Sequence, residues 1–457
     1  MTDKEFLLND EQMRHFIVNG YVTVKTDHPP SFHESIFKQT EAVFEKEGNP
    51  GNNLLPRTPA IQEILDDPAV NGALISLLGP SYYMHPHRHC HYNPPGSEGQ
   101  TMHKDSWTRR RHHTRWVMAL YYPQATPEER GPTGILPESQ YYNARPDNGK
   151  SERPLSGEAG AVTIVHYDLW HRAMPNRSNQ KRYMMKFLAT RMEEPQYSSW
   201  DSNQTTWATP GDDGHQLMWM HLWDWHYGKK NGDITESKSS NAKSEPELID
   251  ALRNESESVC LNAAYTLSAI GAPAVPSLVE GLRDESEVVQ RNASYALSAI
   301  GAPAVPALIE TSSDKNQGVR ASAVDTLGDI GLIAQEAIPA LINASRDESD
   351  QVRQNVVEAL GIVGQSSGSA VPVLIPALCD KHEWVRRNAS LALARIGPHA
   401  GEAVPALTRA LKDENRYVRA NAAYALHRIR TPEAQEALFR FLLTSRWCPS
   451  TTRESAY

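Results

Sequence analysis

The sequence predicts two fold classes in one chain: a double-stranded β-helix (jelly-roll, cupin-like) barrel with flanking helices over 1–228, and an all-α solenoid over 246–457, joined by a flexible linker at 229–245. Three observations carry this. Proline recurs at 246, 276, 306, 339, 372 and 405, in steps of 30, 30, 33, 33 and 33, and a period of that length marks an array of helical repeats. Eight of the ten tryptophans lie at or before residue 225, so the two halves differ in composition as well as in period. The stretch between them is polar and almost free of apolar residues, and it buries too little to offset the entropy of ordering.

In chain order, Asn9 offers an N-cap to a short helix through Phe16 and Ile17, and Gly20 is placed to end it. A strand follows at 21–24, then helices at 32–47 and 60–78. Beyond Tyr82 the chain turns to strand character, with His85, His87, His89 and His91 alternating onto one face until 94–97, Pro-Pro-Gly-Ser, ends it. Further strands are expected at 116–122, 160–165 and 182–190. Antiparallel strands at these intervals fit two packed sheets with room for a metal between them. Trp219 and Trp223, four apart, share a helical face expected to pack back onto the barrel.

In the repeats Val259, Val289, Val319, Val352, Val385 and Val418 recur at the proline steps. So do Asn254, Asp284, Asp314, Asp347, Asp380 and Asp413, each placed as an N-cap of a second helix. Glycines at 271, 301, 331, 364 and 397 supply the stops. Each unit is a helix pair too small to bury its own apolar face, so it is stable only when stacked, and 438–443 forms a terminal capping helix. Such a solenoid offers a concave surface to a protein partner. Arg320, Arg353, Arg386 and Arg419 form a ladder along the stack, read here as pairing with acidic residues at the starts of neighbouring helices.

The net charge of −9 and pI of 6.1 argue against a nucleic-acid-binding protein. Four scattered cysteines make neither a disulfide framework nor a zinc knuckle, and they suit a reducing cytoplasm. No apolar run reaches the length of a membrane span and the start is no signal peptide, so a soluble cytoplasmic protein is expected.

The chemistry lies at 100–107, Gln-Thr-Met-His-Lys-Asp-Ser-Trp, and at 169–182. His103 and Asp105 are two apart, and His171 would complete a two-histidine, one-carboxylate set that holds one face of an octahedral Fe(II) and leaves three positions open. His166 and Asp168 form a second His-x-Asp. Arg182, eleven residues beyond His171, carries a planar fork suited to a carboxylate, with Asn176 and Ser178 between them as further polar contacts. Arg109 and Arg111, in a basic run at 109–115, are candidates for capturing an anionic small-molecule substrate, and His89 and His91 for a wall of the site.

This layout resembles the phytanoyl-CoA dioxygenase family of Fe(II)/2-oxoglutarate oxygenases, and the likeness extends over about 1–228. The resemblance implies that His103, Asp105 and His171 hold iron in preference to the second pair. It also implies that Arg182, with Ser178 and Asn176, binds 2-oxoglutarate, and that O2 is consumed to give succinate and a hydroxylated C–H bond. Related halogenases have Gly or Ala where this chain keeps Asp105. The family's Pro-Gly-Ser-His turn reads Pro137-Glu138-Ser139-Gln140 here, which alters a loop expected near the substrate mouth. Residues 385–397, Val-Arg-Arg-Asn-Ala-Ser-Leu-Ala-Leu-Ala-Arg-Ile-Gly, resemble HEAT-like repeats of the phycobilisome-lyase type, a likeness covering 246–430. The alternative reading is a repeat scaffold with a catalytically silent barrel. A zinc hydrolase is a third, disfavoured because no HExxH is present and Arg182 would have no role.

Overall fold

The computed structural model describes residues 3–106, 112–146, 149, 151–207, 214–229 and 243–443. They fall into two compact units, one over the described residues up to Trp207 and one over those from Gly214 to Leu443.

Among the described residues of the first unit eight strands form two sheets. They are β1 (Tyr21–Lys25), β2 (Tyr83–Asn93), β3 (Trp116–Tyr121), β4 (Thr133–Ile135), β5 (Arg153–Pro154), β6 (Ala161–His166), β7 (His171–Ala173) and β8 (Arg182–Thr190). The larger sheet runs β1-β6-β3-β8-β2 and the smaller β5-β4-β7, with every pairing antiparallel. Met118, Leu120, Val165, Met184 and Leu188 from the larger sheet meet Ile135 of the smaller in one buried cluster. Because strand side chains alternate, Arg182 and Lys186 share the inward face of β8 with Met184 and Leu188. The outward face takes α2 (Pro30–Glu47), whose Phe37 and Phe44 pack on Tyr183 at ring distances of 5.4 and 5.1 Å.

The helix preceding the barrel, α1 (Asp10–Asn19), starts with a capping box between Asn9 and Gln12 and ends at Gly20, φ 79°. A Cβ at Gly20 would lie 2.6 Å from Oε1 of Gln140, so only glycine admits the contact. Gln140 donates from Nε2 to the carbonyls of Ile17 (3.0 Å) and Val18 (3.1 Å). Gln140 therefore ties this loop to the end of α1. Glu138 in the same turn stands at φ 64°, the left-handed region that favours glycine.

The helix expected at 60–78 is broken. After α3 (Leu54–Arg57) come α4 (Ile61–Asp66) and α5 (Pro68–Leu78). Pro68 forces Asp67 out of the helical region (φ −55°, ψ 132°), and the Asp67 carboxylate caps the amide of Ala69. The four-histidine strand is also interrupted, by a register shift between Met84 and Arg88. His85 packs on Trp116, whereas His89 and His91 stand opposite Lys186 and Met184.

The second unit, as described, opens with α6 (Gln216–His226), which carries Trp219 and Trp223. Within this unit His215 bonds Asn262 at 2.6 Å and His221 stacks 5.7 Å from Tyr265. Of the predicted linker, 230–242 lie outside the described residues, while Ser244 caps the next helix. That helix begins the repeats, α7 (Glu245–Ala251), α8 (Glu257–Ile270), α9 (Val275–Leu282), α10 (Glu287–Ile300), α11 (Val305–Thr311), α12 (Gln317–Ile330) and α13 (Ile338–Ala344). They continue as α14 (Asp350–Val363), α15 (Val371–Ala377), α16 (Glu383–Ile396), α17 (Val404–Ala410), α18 (Arg416–Ile429) and the cap α19 (Pro432–Leu443). The recurring prolines sit in the first turn of the short helices, where no amide hydrogen is needed. Each expected glycine caps its helix, four at positive φ and Gly364 at φ −91° with its amide donating to the Leu360 carbonyl.

The N-cap expectation is off by two residues. The caps of α8, α10, α12, α14, α16 and α18 are Ser256, Ser286, Asn316, Ser349, His382 and Asn415. The preceding Asp accepts the cap residue's amide, as Asp347 does from Ser349 at 2.9 Å. Its second oxygen is thereby free for an arginine of the repeat before: Arg320 pairs with Asp347, Arg353 with Asp380 and Arg386 with Asp413, at 2.7, 2.8 and 2.8 Å. Among the described residues no single helix is long and apolar enough to cross a membrane.

Candidate metal centre

His171 is the first residue of β7. An isolated bridge brings His103 opposite it, with reciprocal amide-to-carbonyl bonds of 2.9 Å each way. The chain between β2 and β3 is thereby held against the smaller sheet, and the two imidazoles lie 4.7 Å apart. Nδ1 of His103 lies 2.9 Å from the carbonyl of Thr101, and Nδ1 of His171 lies 2.9 Å from that of Leu169. A carbonyl only accepts, so each Nδ1 carries the proton and each Nε2 presents a lone pair. Asp105 completes the cluster, Oδ1 at 3.9 Å from Nε2 of His103 and Oδ2 at 3.6 Å from Nε2 of His171. The three ligand atoms lie within 4.8 Å of one another, a spacing that one cation can span.

Burial alone would push the Asp105 carboxyl up. Lys186, His171 and His103 outweigh it and bring the value down to about 2. Burial lowers His171, with Asp105 opposing, which keeps the imidazole neutral and fit to ligate. The donor set, two neutral imidazoles and one carboxylate, suits Fe(II).

The second His-x-Asp does not join this group. Nδ1 of His166 accepts from the amide of Asp168 at 3.2 Å, and Asp168 accepts from the hydroxyl of Ser106. Burial takes His166 down to about 4.

Arg182, the first residue of β8, is 1% exposed. Its Nε donates to the carbonyl of Gly131 at 2.9 Å and Nη1 to that of His91 at 3.4 Å, while Nη2 is buried with no hydrogen-bond partner. A buried nitrogen of this kind costs about 1–3 kcal/mol unless a ligand satisfies it, so the fork is complementary to a carboxylate. Nε2 of His91 is likewise buried without a partner; burial, then Lys186, His89 and Arg182, depress that imidazole to about 2.

Asn176 and Ser178 are spent otherwise than expected. Nδ2 of Asn176 donates to the carbonyls of Asn93 (3.0 Å) and Gln180 (2.9 Å), and its Oδ1 accepts from the amide (3.1 Å) and hydroxyl (2.8 Å) of Ser178. They build the turn that delivers Arg182 and leave nothing to offer a co-substrate. Arg109 and Arg111 lie outside the described residues. Arg115, the last of the basic run, is buried in a paired bond to Glu194, both contacts 2.9 Å, so it is no anion trap.

The residue that sequence reasoning missed is Lys186. Its ammonium lies 2.7 Å from Oδ2 of Asp105, and it is 4% exposed. The signal was available: 182 and 186 share strand parity, so a lysine in an otherwise apolar run had to face the same interior as Arg182.

Residues 31–184 match the family described as phytanoyl-CoA dioxygenase, and 275–361, 338–401 and 371–456 match HEAT repeats. Similar solved structures include the non-heme alpha ketoglutarate dependent carbocyclase SnoK from nogalamycin biosynthesis, 18% identical over 42% of this chain and 88% of that one, TM-score 0.36. HygX from Streptomyces hygroscopicus, with nickel and 2-oxoglutarate bound, is 14% identical over 40% of this chain and 88% of its own, TM-score 0.34. CytC3 with Fe(II) and alpha-ketoglutarate is 12% identical over 41% and 79%, TM-score 0.34. No curated protein matches the chain.

Proposed function

We propose, for a chain that carries a phytanoyl-CoA dioxygenase domain followed by HEAT repeats, that the first unit is a non-haem Fe(II)- and 2-oxoglutarate-dependent dioxygenase that hydroxylates a C–H bond of a small molecule. One observation carries the reading: three ligand atoms converge within 4.8 Å, between two sheets that also bury an arginine with an unsatisfied nitrogen. When bound, iron and 2-oxoglutarate let O2 place one oxygen in succinate and the other in the substrate, with release of CO2.

The residues divide the work. His103, Asp105 and His171 hold the metal on one side. The Thr101 and Leu169 carbonyls fix both imidazoles in the ligating tautomer. Arg182 takes the far carboxylate of 2-oxoglutarate through the fork whose Nη2 is otherwise unpaired. Asn176 and Ser178 hold the turn before it. The HEAT repeats present a surface for a protein partner.

The test is anaerobic addition of Fe(II) and 2-oxoglutarate to the full chain. A metal-to-ligand charge-transfer band, followed by succinate when oxygen is admitted, is expected. Folded protein that shows neither would favour a repeat scaffold with a silent barrel.

A further inference from the structure

Lys186 has no place in that scheme, and its charge has to be matched. The inward faces of the strands around it carry few formal charges. On β8 these are Arg182 and Lys186, and Asp105 is the carboxylate Lys186 touches, at 2.7 Å. Its cross-strand neighbours are His89 on β2 and Leu120 on β3. Asp168 and Lys104, whose charges both act on His166, offset one another, and Lys104 is further held by the carbonyls of Gln140 and Tyr142. Without metal, Lys186 stands where a cation belongs and serves as the partner of Asp105.

Loading the site changes this. The two charges of Fe(II) and the one of Arg182 are matched by Asp105 and the two carboxylates of 2-oxoglutarate. Lys186 is then a buried positive charge beyond those the anions balance, and Asp105 no longer serves it alone. A buried charge left unbalanced is costly, and it favours any ligand that supplies a further oxyanion.

Resting on the oxygenase reading, we infer that Lys186 is the substrate's anchor, and that the substrate is a small molecule with one anionic group, a carboxylate or similar oxyanion, on an otherwise apolar body. The apolar part follows from what flanks the ammonium. Met184, Leu188, Leu120 and Met118 belong to one buried cluster, with Trp116 and Tyr167 packed against it.

The probe pair is benzoate and benzamide, equal in shape and different in charge. Each is titrated by calorimetry into the full chain holding Mn(II), which binds without turnover, and saturating 2-oxoglutarate. Benzoate is expected to bind at least about tenfold more tightly than benzamide, since a charge-assisted bond is made only by the carboxylate. Lys186→Met should erase the preference while still taking up Mn(II) and 2-oxoglutarate, which also reports that it folds. Lys186→Arg should restore much of it. Equal binding of the two probes, no binding of benzoate, or a preference that survives Lys186→Met overturns the assignment and leaves the oxygenase reading standing. A wild-type chain that takes up neither Mn(II) nor 2-oxoglutarate overturns both.

Discussion

In the helical unit Arg320, Arg353 and Arg386 each end on a carboxylate of the next repeat, and each also donates from Nη1 to two backbone carbonyls. In the barrel unit Arg182 keeps a buried nitrogen without a partner, His91 does the same, and Lys186 leans on a carboxylate the metal would claim. The first arrangement spends these three guanidiniums on holding a stack together. The second leaves polar groups at a cost that only a ligand can recover, and that is where chemistry is to be sought.

The comparison breaks first at Arg115 and Glu194, a satisfied pair inside the barrel unit that should behave like the ladder. Glu194→Gln should destabilise the barrel by about 3–5 kcal/mol, because Arg115 is left buried and uncompensated; chemical denaturation measures it. The pH dependence has a definite sign. Burial would raise the Glu194 carboxyl, but Arg115 brings it below its ordinary 4.5. Its contribution is therefore complete above that value and lost as pH falls through the depressed one. Wild-type stability should decline in this range more steeply than that of Glu194→Gln.

Arg182→Ala should raise the 2-oxoglutarate concentration needed for turnover by roughly a hundredfold, about 3 kcal/mol of charge-assisted bonding, with little loss of Mn(II) binding. An unchanged requirement would move the co-substrate elsewhere. Arg353→Ala should cost the helical unit about 1–3 kcal/mol, read as a lower melting temperature, and no change would mean the ladder is ornamental. The smallest effect belongs to Glu138→Gly. Relief of the left-handed conformation is worth at most about 1 kcal/mol, and a loss of stability would show that the Glu138 side chain matters more than its backbone.

How much of this was legible in the sequence depends on the range of the signal. The repeats were read correctly because each pair of helices meets only its neighbours, so proline and valine recur at a fixed step. Arg182 opens β8, and the ligand atoms of His103, Asp105 and His171 converge within 4.8 Å, as the spacing of the two segments led one to expect. Caps slipped by two because each Asp accepts the amide of the residue two positions on, so the helix opens after that residue instead of after the Asp. Asn176 and Ser178 have the chemistry of ligands and the geometry of a turn, and sequence cannot separate the two.

The account turns on three distant side chains sharing one cation, and equilibrium titration of Mn(II) followed by electron paramagnetic resonance tests that most directly. One ion per chain is predicted for the wild type, with uptake lost in both His103→Ala and His171→Ala while each remains folded. Wild-type uptake in either variant would contradict the account.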